Sequence, residues 1–144
     1  MHPLIEKLTQ KGPIVTDGSW GTQLQNRGLK RGECPDSWNL NHPELVEEVA
    51  HQYVEAGSRI ILTNTFGGSR LSLERYHLGD KAVAINTAGV EISKKAAGNR
   101  AIVFASIGPT GKMLLTQETT EDELQKVFEE QADAQARAGA DGII

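Results

Sequence analysis

Apolar residues fall along this chain in short runs and in helical stripes, and the two alternate. The run Pro13-Ile14-Val15-Thr16 is closed by Asp17 and Gly18, and predicts a first strand over residues 14–17. A short helix is expected over 21–26. A loop is expected over 31–41, where Gly32, Pro35, Asn39 and Asn41 interrupt any periodicity. Pro43 suits a first helical position. Leu45, Val46, Val49, Tyr53 and Val54 recur behind it at helical spacing, and Ala56-Gly57 closes the helix. Residues 59–64, Arg-Ile-Ile-Leu-Thr-Asn, read as a buried second strand with 65–69 as its exit loop. A helical region follows from about residue 69 to 98, broken near Gly79, with Ala82, Ile85, Gly89, Ile92 and Ala96 on one face. Residues 101–107 predict a third strand and 108–111 its exit loop. Thr120 and Glu123 have the capping-box spacing and open a helix to about Ala138. Residues 138–144 enter a fourth strand.

Two phrases echo each other. Glu55-Ala-Gly-Ser-Arg-Ile-Ile61 and Arg137-Ala-Gly-Ala-Asp-Gly-Ile-Ile144 both end a helix with glycine and enter an apolar strand. The strand exits at Asp17, Asn64 and Gly108 are almost evenly spaced, as a repeated strand–helix unit requires. Parallel strands need such crossovers, and their helices cover the sheet. The class is therefore α/β with parallel strands and crossover helices. A (β/α)8 barrel and a doubly wound sheet both fit this order. A complete TIM barrel needs about 250 residues. On the barrel reading, residues 1–144 are expected to be one partial domain, its first half, stopping in the fourth strand.

Composition narrows the class. At 144 residues the chain can build one modest core. A net charge of −4 argues against a nucleic-acid partner. Arg27, Lys30 and Arg31 are expected to form a solvated loop. No apolar run approaches the roughly 20 residues of a membrane span, and the first residues lack the apolar core of a signal peptide. The single cysteine, Cys34, excludes an internal disulfide. A cytoplasmic enzyme is the expected class, with no membrane partner.

Candidate chemistry gathers at the three strand exits. Asp17 offers an acceptor to a cationic group, while Gly18 and Gly21 let the backbone approach a ligand and present N–H groups to an anion. Both features together suit a zwitterion such as an amino acid. Asp17 also fits a plain helix-capping role. Thr63, Asn64 and Thr65 follow the second strand; Ser106, Gly108 and Thr110 follow the third. Each alone fits a loop cap, but in a barrel the three exits converge on the face where active sites lie. The loop Phe66-Gly67-Gly68-Ser69 could cradle a phosphate, though it lacks a Walker lysine pattern. Cys34, His2, His42, His51 and His77 show no metal-ligand spacing, and Cys34 has no evident base beside it.

The segments Ile14-Val-Thr-Asp-Gly-Ser-Trp-Gly-Thr22, Glu33-Cys-Pro-Asp-Ser-Trp-Asn39, His42-Pro-Glu-Leu45, Tyr53-Val-Glu-Ala-Gly57, Thr63-Asn-Thr-Phe-Gly67 and Ser106-Ile-Gly-Pro-Thr110 occur in one order. Together they resemble the N-terminal half of the homocysteine S-methyltransferase family, which includes the homocysteine-binding domain of cobalamin-dependent methionine synthase and the betaine–homocysteine methyltransferases. The resemblance covers nearly the whole chain.

It implies a (β/α)8 barrel of about 300 residues with zinc at its mouth, held by three cysteines of the second half and completed by the homocysteine thiol. A thiol with a pKa near 8.5 is mostly protonated at neutral pH, and metal binding deprotonates it for attack on a methyl donor. It implies that Asp17 and the backbone at Gly18 help hold the amino-acid end. Asn64, Thr65, Ser106 and Gly108 complete the expected substrate-binding set. No catalytic residue and no metal ligand is expected within these residues, so the chain alone is expected to be inactive. The donor stays open among a methylcorrinoid protein or domain (methylcobalamin, or a corrinoid linked to methyltetrahydrofolate), betaine and S-methylmethionine. A second reading is a non-catalytic half-barrel that self-associates as a homo-oligomer or complements a missing half.

Overall fold

The computed structural model describes residues 2–144. Its centre is a three-stranded sheet in the order β1-β2-β3, with β1 Ile60–Leu62, β2 Ile102–Ala105 and β3 Gly142–Ile143. Both pairings are parallel: Ile61 faces Val103, and Phe104 faces Gly142. The helices, in chain order, are α1 Pro3–Thr9, α2 Trp20–Gln25, α3 Trp38–Asn41, α4 Pro43–Glu55, α5 Arg70–Glu74, α6 Ala82–Ala97 and α7 Glu121–Arg137.

The echoed phrases build one device twice. At the end of α4, Gly57 takes φ +100° while Gly57 N–H donates to Val54 O and Ser58 N–H to Tyr53 O. At the end of α7, Gly139 takes φ +93° while its N–H donates to Ala136 O and Ala140 N–H to Gln135 O. This paired bonding is the Schellman motif, and the left-handed φ is what glycine supplies without strain. The next residues then join the extended segment before each helix: Arg59 N–H donates to Val15 O, and Asp141 N–H donates to Val103 O of β2.

One sheet face packs outward on the helices. Ile61 and Val103 meet Ala50 and Val54 of α4 and Ala96 and Ala97 of α6. A second cluster joins Leu24, Leu29 and Trp38 to Val46, Val49 and Ile92. Each such large side chain contributes about 1.5–3 kcal/mol by leaving water. Gly89 lets α6 come close: a Cβ there would lie 2.5 Å from Thr65 Cγ2 and 2.7 Å from Asn39 Nδ2.

Several expectations need correction. Residues 14–17 form no full strand. Thr16 makes a single parallel bridge to Ile60, because Pro13 lacks a donor and Val15 and Thr16 face solvent. Residues 31–41 are not all loop: a 3-10 turn, Pro35–Ser37, leads into α3, with Trp38 and Asn39 buried. Arg27 is not solvated, since it pairs with Glu48 at 3.2 Å and donates to Gln52 at 2.7 Å; Lys30 and Arg31 are exposed. Only half of the capping box forms. Thr120 Oγ1 accepts from Glu123 N–H at 3.2 Å, but the Glu123 carboxylate is taken by Thr119 Oγ1 at 2.7 Å.

Candidate functional site

Parallel β1 and β2 leave the sheet at the same end, so their exits share one opening. There Leu62, Thr63, Asn64 and Ser106 wall a cleft of about 470 Å³ with Trp20, Gly21, Asp36, Phe66, Arg75 and Tyr76. A second cleft, of about 510 Å³, lies at the opposite ends of the strands, beside Arg59 and Ile102. In parallel α/β sheets ligands bind at the carboxyl ends of the strands, which favours the first.

Asn64 is held by its own amide. Its Nδ2 donates to Pro35 O at 2.8 Å and to Asn39 Oδ1 at 3.0 Å, while Asn39 Nδ2 donates to Asn64 O at 2.8 Å. Both Asn64 amide protons are spent, which turns its Oδ1 into the group available to a ligand. Ser106 lines the same cleft and is fixed by Thr63: its N–H donates to Thr63 Oγ1 at 3.0 Å.

Thr65 has a different place. It is fully buried, and its hydroxyl donates to Ser106 O at 2.8 Å while accepting from Gln135 Nε2 at 3.2 Å. Thr63 and Thr65 thus extend the β1–β2 pairing through their side chains. Gln131 and Gln135 of α7 and Asn86 of α6 close this buried polar layer. Gln131 Nε2 reaches Thr65 O at 2.9 Å, and Asn86 Nδ2 reaches Gly68 O at 2.7 Å. The layer fixes the loop at the cleft rim. Gly108 follows from the same closeness: its N–H donates to Phe66 O at 2.9 Å, and a Cβ would lie 2.5 Å from that oxygen.

Asp17 does not wall the cleft; it fixes the residues that do. Its Oδ2 accepts from Trp20 Nε1 at 2.7 Å and from Leu62 N–H at 2.8 Å. Burial pushes this carboxyl above its usual range, and the two bonds pull it back. The capping role that Asp17 could have had belongs to Ser19, whose Oγ accepts from Thr22 N–H. Gly18 lies against Tyr53, where a Cβ would sit 3.1 Å from Oη.

Asp36 was not legible as a site residue. It is only 5% exposed, lines the cleft, and accepts from Gly67 N–H at 3.0 Å through Oδ1. Burial pushes its carboxyl up to about 6 against the pull of that bond and of Arg75. The one clue in the sequence is an acid between Pro35 and an apolar Trp38, at the start of a helical turn. Asp36 also undoes the phosphate reading of residues 66–69. It occupies the Gly67 N–H with a carboxylate, and Gly68 N–H is spent on Thr65 O at 3.0 Å.

Cys34 is buried, and burial with Asp36 nearby pushes its thiol up, which keeps it protonated and a poor nucleophile. Among the described residues no three His, Cys, Asp or Glu side chains gather to hold a metal ion, so this donor set does not fit zinc. No helix among them is long and apolar enough to cross a membrane.

Comparison with known proteins bears on this geometry. A family model described as homocysteine S-methyltransferase matches residues 14–144. A methionine synthase of Mycobacterium leprae (strain TN) is 30% identical over 155 residues, covering 98% of this chain and 13% of that protein. Betaine–homocysteine S-methyltransferase 1 of Bos taurus is 27% identical over 147 residues, covering 98% of this chain and 36% of its own length. The chain thus spans only a small part of the curated relatives it matches. Among solved structures, the oxidized form of the Escherichia coli homocysteine methyltransferase MmuM superposes with a TM-score of 0.82 at 23% identity, over 99% of this chain and 56% of that one. Its metallated form gives the same TM-score over 96% of this chain. That likeness establishes the shared α/β fold.

Proposed function

Since this chain belongs to the homocysteine S-methyltransferase family, we propose that it is the substrate-binding half of a methyltransferase that moves a methyl group to the homocysteine thiol, giving methionine. The observation that carries the reading is the cleft at the ends of β1 and β2, where Asn64 and Ser106 stand on one wall. On this reading the Asn64 oxygen and the Ser106 hydroxyl meet the amino-acid end of the substrate. Asp17 adds negative charge and holds Trp20 and Leu62 in place. Thr65 fixes the wall from behind, and Gly18 and Gly108 let the backbone pack closely against Tyr53 and Phe66 around the cleft.

The reaction forms a carbon–sulfur bond and breaks the bond between the methyl group and its donor, and the thiol proton leaves. These residues bind and orient the acceptor. On this reading zinc activates the homocysteine thiol within a (β/α)8 barrel, metal dependence in kind is supported by the metallated form of the E. coli enzyme, and no residue of this cleft is assigned to the metal. The donor on this reading is one of three: a methylcorrinoid (methylcobalamin or a corrinoid charged from methyltetrahydrofolate), betaine or S-methylmethionine.

The test is a labelled-methyl assay on the protein that carries these residues, with zinc and with methylcobalamin, betaine or S-methylmethionine in turn. Methionine formed from homocysteine with one of these donors is the expected result. No methionine with any donor, together with no homocysteine binding, would refute the reading. The 144 residues alone are expected to bind homocysteine without turnover. A second reading, a half-barrel that pairs along its open edges, is favoured by Val15, Ile143 and Ile144, which are 65%, 47% and 66% exposed at the two sides of the sheet.

A further inference from the structure

We infer that Asp36 and Arg75 form a charged subsite in the cleft that receives a small zwitterion, Asp36 taking its cationic group and Arg75 its carboxylate. The inference deepens the proposed function, because the site is the same cleft.

The geometry carries it. Asp36 is buried, and its Oδ1 is anchored to Gly67 N–H at 3.0 Å. Its Oδ2 has only the Cys34 thiol, at 4.0 Å, the outer limit for a weak sulfur donor. Among the described residues it forms no ion pair. A buried carboxylate without a contacting cation is a strongly unfavourable arrangement unless something else supplies the charge. Arg75 is the cation that lines the same cleft, close enough to act on Asp36 through space but not bonded to it. Its guanidinium stands 5.2 Å from the Tyr76 ring centre. A carboxylate and a guanidinium on one cleft, unpaired with each other, leave a gap of opposite charges. A ligand with an ammonium or other cationic group and a carboxylate fits that gap. Phe66, 62% exposed, and Tyr76 supply apolar wall for its methylene or methyl groups.

Two ligands of the proposed reaction have this chemistry: the amino-acid acceptor and a zwitterionic methyl donor. The fixed Gly67 bond gives the site its shape, and the raised carboxyl gives it a pH response. Between about pH 5 and 7.5, Asp36 is the carboxyl of this cluster that changes charge, while burial keeps the Cys34 thiol protonated.

The experiment is a binding titration of the 144-residue chain and its Asp36→Asn and Arg75→Gln variants. The probes are homocysteine, homoserine, betaine and, as an anion without a cationic group, propionate. Each variant is expected to lose roughly tenfold or more in affinity for a zwitterion. Asp36→Asn should leave propionate binding no weaker. In the parent chain, zwitterion affinity should rise from about pH 5 to 7.5, and in Asp36→Asn it should not. A loss for homocysteine and homoserine assigns the subsite to the acceptor; a loss for betaine alone assigns it to the donor. Homocysteine and betaine affinities unchanged in both variants overturn the subsite and leave homocysteine standing as substrate. No zwitterion binding by the parent chain also overturns it. If Asp36→Asn does not fold, the exposed Arg75→Gln and the parent pH profile decide, and a flat profile overturns the inference.

Discussion

Replacing Asp36 by asparagine should make the fold more stable at neutral pH, not less. The amide has the same shape, and its oxygen can keep the bond from Gly67 N–H now made by Asp36 at 3.0 Å. What it removes is a buried charge. The carboxyl moves from its ordinary 3.8 to about 6 on folding, with burial as the first cause. A displacement of roughly two pH units corresponds to about 3 kcal/mol against the ionised form. The direction with pH follows from proton binding. Between 3.8 and about 6 the folded chain holds a proton on Asp36 that the unfolded chain has released. Stability from this group is therefore fully present below pH 3.8 and is lost as pH rises through about 6. The assay is urea unfolding of parent and variant at several pH values, read as the difference between them, which cancels the parallel contribution of Asp17. The variant should gain on the parent as pH rises, and the gain should level off near 3 kcal/mol above about pH 7. A difference that does not change with pH, or a variant less stable than the parent at pH 7, would refute the burial argument. A carboxylate kept at such a cost is what a binding site requires, because sites that hold charge for a ligand are commonly less stable than their neutral replacements.

Gly89→Ala should destabilise the chain by about 1–3 kcal/mol, the usual range for overpacking. Its Cβ would meet Thr65 Cγ2 at 2.5 Å and Asn39 Nδ2 at 2.7 Å, and a urea midpoint unchanged at constant slope would show that α6 moves freely. Asp17→Ala should cost about 2–4 kcal/mol by leaving Trp20 Nε1 and Leu62 N–H without their acceptor. Asp17→Asn should retain most of that stability, and the Trp20 indole proton resonance, shifted in Asp17→Ala only, reports which bonds survive. The exposed pair Lys95–Glu47, at 2.6 Å, should contribute less than about 1 kcal/mol despite its short distance; a double-mutant cycle giving a larger coupling would contradict this.

Much of the fold was readable because its devices are local. Pro43 opens α4, Gly57 and Gly139 close α4 and α7 at left-handed positions, and apolar runs follow both. The β1 and β2 runs are apolar enough to be recognised without periodicity. What was hidden depends on distant partners. Asn39 makes α3 worthwhile by donating to Asn64 O and Ile85 O across the fold, and no local pattern announces that. Gln131, Gln135 and Asn86 look like surface residues of amphipathic helices, yet they are buried because they close the polar layer behind the cleft. The site shows the same division. Asn64 and Ser106 could be placed at the exits by counting strands. The burial of Thr65, the retreat of Asp17 behind Trp20, and the arrival of Asp36 from the turn Pro35–Ser37 follow only from packing.

The central claim is that the cleft at the ends of β1 and β2 binds homocysteine. A nuclear magnetic resonance titration of the isotope-labelled chain with homocysteine tests it most directly, because each backbone amide reports its own position. Saturable shifts confined to the cleft residues Trp20, Asn64, Gly67 and Ser106 are predicted, and Asn64→Ala should weaken them roughly tenfold. Shifts centred on the opposite opening, around Arg59 and Ile102, or no saturable shift at millimolar homocysteine, would contradict the account.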